Sequence, residues 1–159
     1  MSQYWSPAVR ELTPYVPGEQ PRERVIKLNT NENPYPPAPG VSDALRHYAT
    51  DHLRLYPDPT SVALRETLAE TYGVSVAETF VGNGSDEVLA FAFQAFFCQG
   101  APLDVPSITY SFYPVYANLY GVALRKHALN DQWEVDLEAL ASASERAGVI
   151  FANPNAPTG

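Results

Sequence analysis

From Thr79 onward the chain alternates. Short runs rich in β-branched and apolar residues (79–81, 103–105, 122–128 and 149–152) are separated by helical stretches at 86–98, 111–120 and 137–146. A β-α-β-α-β-α-β order leaves few folds open. Strands joined by helical crossovers pair in parallel, and the helices then cover the faces of the sheet. The predicted fold class is therefore α/β, a mostly parallel layered sheet. Ligands of such sheets bind outside the carboxyl ends of the strands. The loops richest in chemistry, 82–87, 106–110 and 153–159, all follow strands. The Asp86–Cys98 run is almost wholly apolar, which predicts a helix buried on most sides with Cys98 in the core.

The first 40 residues are of another kind. Prolines at 7, 14, 17, 21, 34, 36, 37 and 39 forbid a long helix, because each removes a donor and restricts its predecessor. Trp5, Tyr15 and Tyr35 give this arm enough apolar surface to drape over a folded body. Val25–Leu28 is a short strand candidate within it. Val41, Leu45 and Tyr48 recur at helical spacing and predict a helix over 41–52. Tyr56-Pro57-Asp58-Pro59 reads as a turn, and a second helix over 61–72 ends at Gly73. The sequence thus divides into an arm (1–40), a helical segment (41–75) and the layered sheet (76–159).

Residues 82–87, Gly-Asn-Gly-Ser-Asp-Glu, join a strand to the apolar helix. Two glycines allow a tight turn and a close approach of backbone to an anion. The unpaired amides that open the helix, and its positive dipole end, favour a phosphate. Asp86 and Glu87 would repel it, so the backbone and Ser85 must bind while both carboxylates turn aside. The competing reading is an ordinary strand–turn–helix junction capped by Ser85.

Composition narrows the partners. A net charge of −8 argues against nucleic acid or an anionic membrane surface. No apolar stretch has membrane-spanning length, no signal-peptide pattern opens the chain, and one cysteine permits no internal disulfide. These features fit a cytoplasmic protein. His47, His52 and His127 match no metal spacing. The loop at 82–87 is neither a dinucleotide fingerprint nor followed by a phosphate-loop lysine, which argues against a nucleotide-binding domain.

Five segments, taken in order, resemble one family. They are Leu28-Asn29-Thr30-Asn31-Glu32-Asn33-Pro34-Tyr35, Tyr56-Pro57-Asp58, the 82–87 loop, Thr109-Tyr110-Ser111-Phe112-Tyr113, and the final Asn153-Pro154-Asn155-Ala156-Pro157-Thr158-Gly159. The chain resembles the histidinol-phosphate aminotransferases, fold-type I enzymes that use pyridoxal 5′-phosphate (PLP). The resemblance spans the whole chain and somewhat less than half of a family member. It implies that 76–159 is the first half of the PLP-binding large domain, and that the chain is an N-terminal fragment of a homodimeric enzyme. Gly84, Ser85 and Asp86 would hold the cofactor phosphate, and Tyr110 would stack on the pyridine ring. Tyr56 would reach the cofactor phosphate of the partner subunit. An asparagine of the last loop would meet the phenolic oxygen; its usual position is Ala156 here, so the contact falls to Asn155. Tyr15, Asn31, Glu32 and Asn33 would face the substrates, histidinol phosphate and 2-oxoglutarate or glutamate.

Enzymes of this class form a Schiff base between PLP and a lysine. Only Lys27 and Lys126 occur, and neither lies in a matching motif. The lysine is therefore expected beyond Gly159, with no catalytic residue in this chain and no activity in the isolated polypeptide. The alternatives are another fold-type I enzyme, such as an aromatic-amino-acid aminotransferase or a threonine-phosphate decarboxylase, or a fragment without catalytic function.

Overall fold

A computed structural model describes residues 3–13, 18, 21–23 and 25–159. The described chain separates into two compact units: residues 3–13 with Gly82–Gly159, and the described residues from Gly18 to Val81. The boundary thus falls at the glycine loop, a few residues beyond the division near 75 suggested by sequence. The first residues of the arm go with the second half of the chain.

In the larger unit, β1 (Leu103–Pro106) is central and fully buried. It pairs in parallel with β2 (Leu124–His127) and with the short β3 (Gly148–Val149), giving the order β2-β1-β3. Leu103 faces Leu124 and Gly148, and Asp104 faces Arg125 and Val149. The parallel α/β arrangement read from the alternation is the one observed. Leu103 and Val105 point into a core with Phe93, Tyr113, Tyr116, Ala117 and Val122. A Cβ on Gly148 would lie 2.8 Å from the ring of Phe97, so only glycine lets this edge strand pack so closely.

The helix opened by the glycine loop, here α4 (Gly84–Ala92), continues as a π turn over Phe93–Phe97. α5 (Tyr113–Tyr120) carries Pro114 in its first turn, where a missing amide costs nothing. α6 is Leu137–Ser142, capped by Asp136. A short α1 (Pro7–Glu11), capped by Ser6, packs on α5.

Three expectations are corrected. The 86–98 helix is not buried on most sides: Phe93 is enclosed by Phe97, Tyr113 and Tyr116, but Phe91 and Phe96 are exposed. Its apolar residues encircle the helix, and within this unit α5 and the sheet cover one side. Cys98 is exposed at the end of the π turn, its thiol 3.4 Å from the Phe93 carbonyl. Segments 25–28 and 79–81 form no strands; the sheet is built from β1, β2 and β3.

The smaller unit holds α2 (Pro39–His47), a 3-10 turn at Thr50–Arg54, α3 (Val62–Tyr72) and a 3-10 turn at Val76–Glu78. Arg65 on α3 donates to the carbonyls of Thr79 (2.8 Å) and Val76 (2.6 Å), tying the helix to the segment that follows it. Among the described residues no helix is long and apolar enough to cross a membrane.

Candidate functional site

The 82–87 loop turns because Gly84 adopts φ +81°, a left-handed conformation that suits glycine. Apart from its chain neighbours and the backbone of its own helix, no described atom lies within 4 Å of where a Cβ on Gly84 would stand. Asn83, the residue before α4, makes no side-chain bond to the helix amides. The Gly84 amide donates to the Gly82 carbonyl at 2.9 Å, and the other amides that open α4 have no side-chain cap from Asn83. Among the described residues no hydrogen bond engages the Ser85 hydroxyl. The two acidic side chains are exposed and hydrogen-bonded. Glu87 accepts from the Asn83 amide at 2.6 Å, and Asp86 accepts from the Tyr110 hydroxyl at 3.0 Å. The Glu87 carboxylate stays on the loop, 3.0 Å from where a Cβ on Gly82 would stand, so an anion here would be attracted by backbone N–H, the Ser85 hydroxyl and the helix dipole against that charge.

Tyr110 follows β1 and stands beside this loop. Its ring stacks at 22° on Phe112 and meets Tyr113 edge-on with centroids 5.4 Å apart. Tyr116 donates to the Asp86 carbonyl at 2.7 Å. Burial, with the neighbouring Asp86 carboxylate, pushes the Tyr116 phenol up to about 12. It therefore stays protonated, and a donor, at any ordinary pH. Beyond the carboxyl end of β1, a pocket of about 320 Å³ is lined by Pro106, Ile108, Tyr110, Tyr113 and Lys126 among others.

Asn155 is buried. Its amide nitrogen donates to the Ile108 carbonyl (3.0 Å) and to the Thr158 hydroxyl (2.8 Å), and its oxygen accepts from the Thr109 hydroxyl (2.7 Å). Both amide hydrogens are spent within the protein. The donor that the sequence reading reserved for a cofactor oxygen is thus already engaged.

The structure brings Gly84, Ser85, Asp86, Tyr110 and Asn155 into one unit, with direct bonds from Tyr110 to Asp86 and from Thr109 to Asn155. The remaining candidates belong to the smaller unit. Tyr56 is fully exposed. It precedes a turn fixed by Asp58, which accepts from the Thr60 amide and hydroxyl (both 2.9 Å) and from the Val62 amide (2.7 Å). Asn31, Glu32 and Asn33 are exposed; Glu32 pairs with Lys27 at 2.6 Å, and Asn33 accepts from the Tyr35 amide. Thr30 and Asn31 both take positive φ (62° and 51°), a strained choice for the β-branched threonine. Tyr15 lies outside the described residues.

Sequence reasoning missed Thr109, Tyr116 and a buried ion cluster. Asp104, without exposed surface, accepts from Arg125 (2.5 and 2.9 Å) and lies 3.0 Å from His127 Nε2. A signal for the cluster was available. Arg125 and His127 alternate on one face of a strand, and an aspartate in the central strand needs such partners.

Comparison with known proteins gives the family. The chain belongs to the class I and II aminotransferases: that family's model, "Aminotransferase class I and II", matches residues 23–159. A histidinol-phosphate aminotransferase of Chromohalobacter salexigens is 70% identical over 159 residues, which is all of this chain and 45% of that protein. The corresponding protein of Pseudomonas putida (strain F1) is 55% identical over 160 residues, again all of this chain and 45% of its own length. The crystal structure of histidinol-phosphate aminotransferase from Sinorhizobium meliloti in complex with pyridoxal-5′-phosphate superposes with TM-score 0.79 at 26% identity, covering 99% of this chain and 44% of that one. The chain spans less than half the length of these relatives, and its α/β fold is that of the matching part of the family.

Proposed function

We propose that this chain is the N-terminal part of a PLP-dependent aminotransferase that exchanges an amino group between histidinol phosphate and 2-oxoglutarate, working as a cytoplasmic homodimer. The observation that supports the reading is the start of α4, without a side-chain cap, with Gly84 left-handed and both nearby carboxylates hydrogen-bonded, Asp86 to Tyr110 and Glu87 to the Asn83 amide. Those residues fit a phosphate-bearing group. The amides of Ser85 and Asp86 and the Ser85 hydroxyl would hold the phosphate, with Gly84 allowing the close approach of backbone and its own amide bonded to the Gly82 carbonyl. Tyr110 would cover one face of the ring and exclude water from it. When bound, PLP supplies the electron sink that the transfer needs. Tyr56 would serve the cofactor phosphate of a second copy, and Tyr15, Asn31, Glu32 and Asn33 the substrates.

The Lys27 ammonium is paired with Glu32, and Lys126 sits on β2 beside the 106–111 loop. Neither stands in the family's lysine motif, so the 159-residue chain by itself transfers no amino group.

The test is paired, in the polypeptide extended to the relatives' full length. Ser85→Ala is expected to weaken PLP binding by roughly 1.5–3 kcal/mol, the worth of a hydrogen bond to a charged group. Gly84→Val is expected to weaken it more, since its side chain blocks the close approach of backbone and resists positive φ. Affinity is read by spectral titration and apoprotein stability by denaturant. Unchanged affinity with lowered stability in both variants would return the loop to an ordinary structural turn.

A further inference from the structure

Asn155 makes more long-range side-chain bonds than a loop asparagine needs for its own turn. One bond, to Thr158, is local. The other two cross to the loop after β1, to the carbonyl of Ile108 and the hydroxyl of Thr109, the two residues immediately before Tyr110. The phenol of Tyr110 is held separately by Asp86, at the opening of α4. Tyr110 is thus pinned at both ends, its backbone approach by Asn155 and its hydroxyl by the phosphate loop. Asn155 is buried, so its bonds are sheltered from competition by water.

We propose that Asn155 is a positioning residue: through Thr109 and Ile108 it fixes the ring of Tyr110 in the plane required to cover the cofactor, and it does not contact the cofactor itself. This rests on the reading of Tyr110 as the stacking residue. It also accounts for Ala156 at the position where the superfamily carries asparagine. The asparagine present one residue earlier is oriented into the protein and acts on the site from behind.

The experiment is a coupling cycle in the polypeptide extended to the relatives' full length, read by PLP affinity in spectral titration and by apoprotein denaturation. Thr109→Val removes the hydroxyl while keeping the shape, and guards against the case in which Asn155→Ala fails to fold. Thr109→Val is expected to weaken PLP binding roughly fivefold to tenfold, the size of one net hydrogen bond. Thr109→Ser should restore affinity to within about twofold, because the hydroxyl returns. In a Tyr110→Ala background, Thr109→Val and Asn155→Ala should each change affinity less than about twofold, since there is no ring left to position. Affinity losses of equal size with and without Tyr110 would overturn the proposal; for Asn155→Ala they would mark a direct contact. Unchanged affinity in both variants, with Tyr110→Ala still weakening binding, would overturn it and leave the stacking role standing. If Tyr110→Ala itself leaves affinity unchanged, the stacking role fails and this inference falls with it.

Discussion

The two units hold their candidate site residues in opposite ways. Around the sheet, the bonds that matter are long-range: Tyr110 to Asp86 spans 24 residues, Asn155 to Ile108 spans 47, and Arg125 to Asp104 spans 21. In the smaller unit, Lys27–Glu32, Asn33–Tyr35, Asp43–Arg46 and Asp58–Val62 reach no more than five residues, with Arg65 the exception. Ala69 is the one buried apolar residue there among the described residues, while Ile26, Leu45 and Tyr56 are exposed. The contrast separates two jobs. Long-range bonds over a core fix where one side chain stands relative to another. Local bonds fix the shape of a turn, and a surface so rich in exposed apolar groups is of the kind that other surfaces dock on.

The comparison can be broken at its strongest point. Asp104 has no exposed surface, and its carboxyl is held below the ordinary aspartate value of 3.8 chiefly by its hydrogen bonds from Arg125, with His127 adding to them. Asp104→Ala is expected to cost about 3–5 kcal/mol of stability, the range for breaking a buried ion pair by removing one partner. The pH dependence has a definite sign. A depressed folded-state value means the contribution is complete above the unfolded-state value and is lost as pH falls from about 4 through the folded value. Denaturant melts between pH 3 and 7 should show that acid-side loss in the parent and a flatter curve in the variant. A variant as stable as the parent at neutral pH would mean that the sheet unit does not depend on its long-range polar bonds.

What sequence could reveal follows the same line. The alternation after Thr79 gave the parallel sheet, and α3 ran as predicted to its Gly73 stop, because periodicity and caps are written in neighbouring residues. The glycine loop was legible as a tight turn into a helix for the same reason, with Gly84 at positive φ and Asp86 and Glu87 in the first turn of α4. Which groups they turn toward was not legible. Asn83 is four residues from Glu87, but Tyr110 is 24 from Asp86, and no local pattern encodes that pairing. Asn155 shows the limit most sharply. Its motif pointed to a cofactor contact, while its partners, Ile108 and Thr109, are set by how two strand exits meet. The strands expected at 25–28 and 79–81 failed on the complementary ground: β-propensity names a segment that can pair and says nothing of whether a partner lies beside it.

A smaller effect is expected where order is local. Asp58 serves as the cap of α3, because Ser61 at the helix start is itself left-handed (φ 48°) and makes no capping bond. Bonds from Thr60 and Val62 hold the Asp58 carboxyl below its usual range. Asp58→Ala should lower thermal stability by clearly less than Asp104→Ala does, and should shorten α3 at its first turn, visible as increased amide exchange at Val62 and Ala63. An effect as large as that of Asp104→Ala would erase the distinction between the two kinds of region.

The smallest effect on stability, and the sharpest test of the docking side of the contrast, is expected from Tyr56→Ala. The side chain is fully exposed at a turn whose shape is set by Asp58, so its removal costs the fold nothing it depends on and should stay within about 0.5 kcal/mol. Exposure of a large aromatic on a turn made rigid by its neighbours suits a group preorganised to meet another surface. If that surface is a second copy, the variant extended to full length should dissociate at higher concentration than the parent in sedimentation, and should bind PLP more weakly because the partner's phosphate contact is lost. Denaturation of the dissociated chain should be unchanged. Loss of folding stability without any change in self-association or PLP affinity would place Tyr56 among the residues that maintain its own turn, and the smaller unit would then have no docking role resting on this residue.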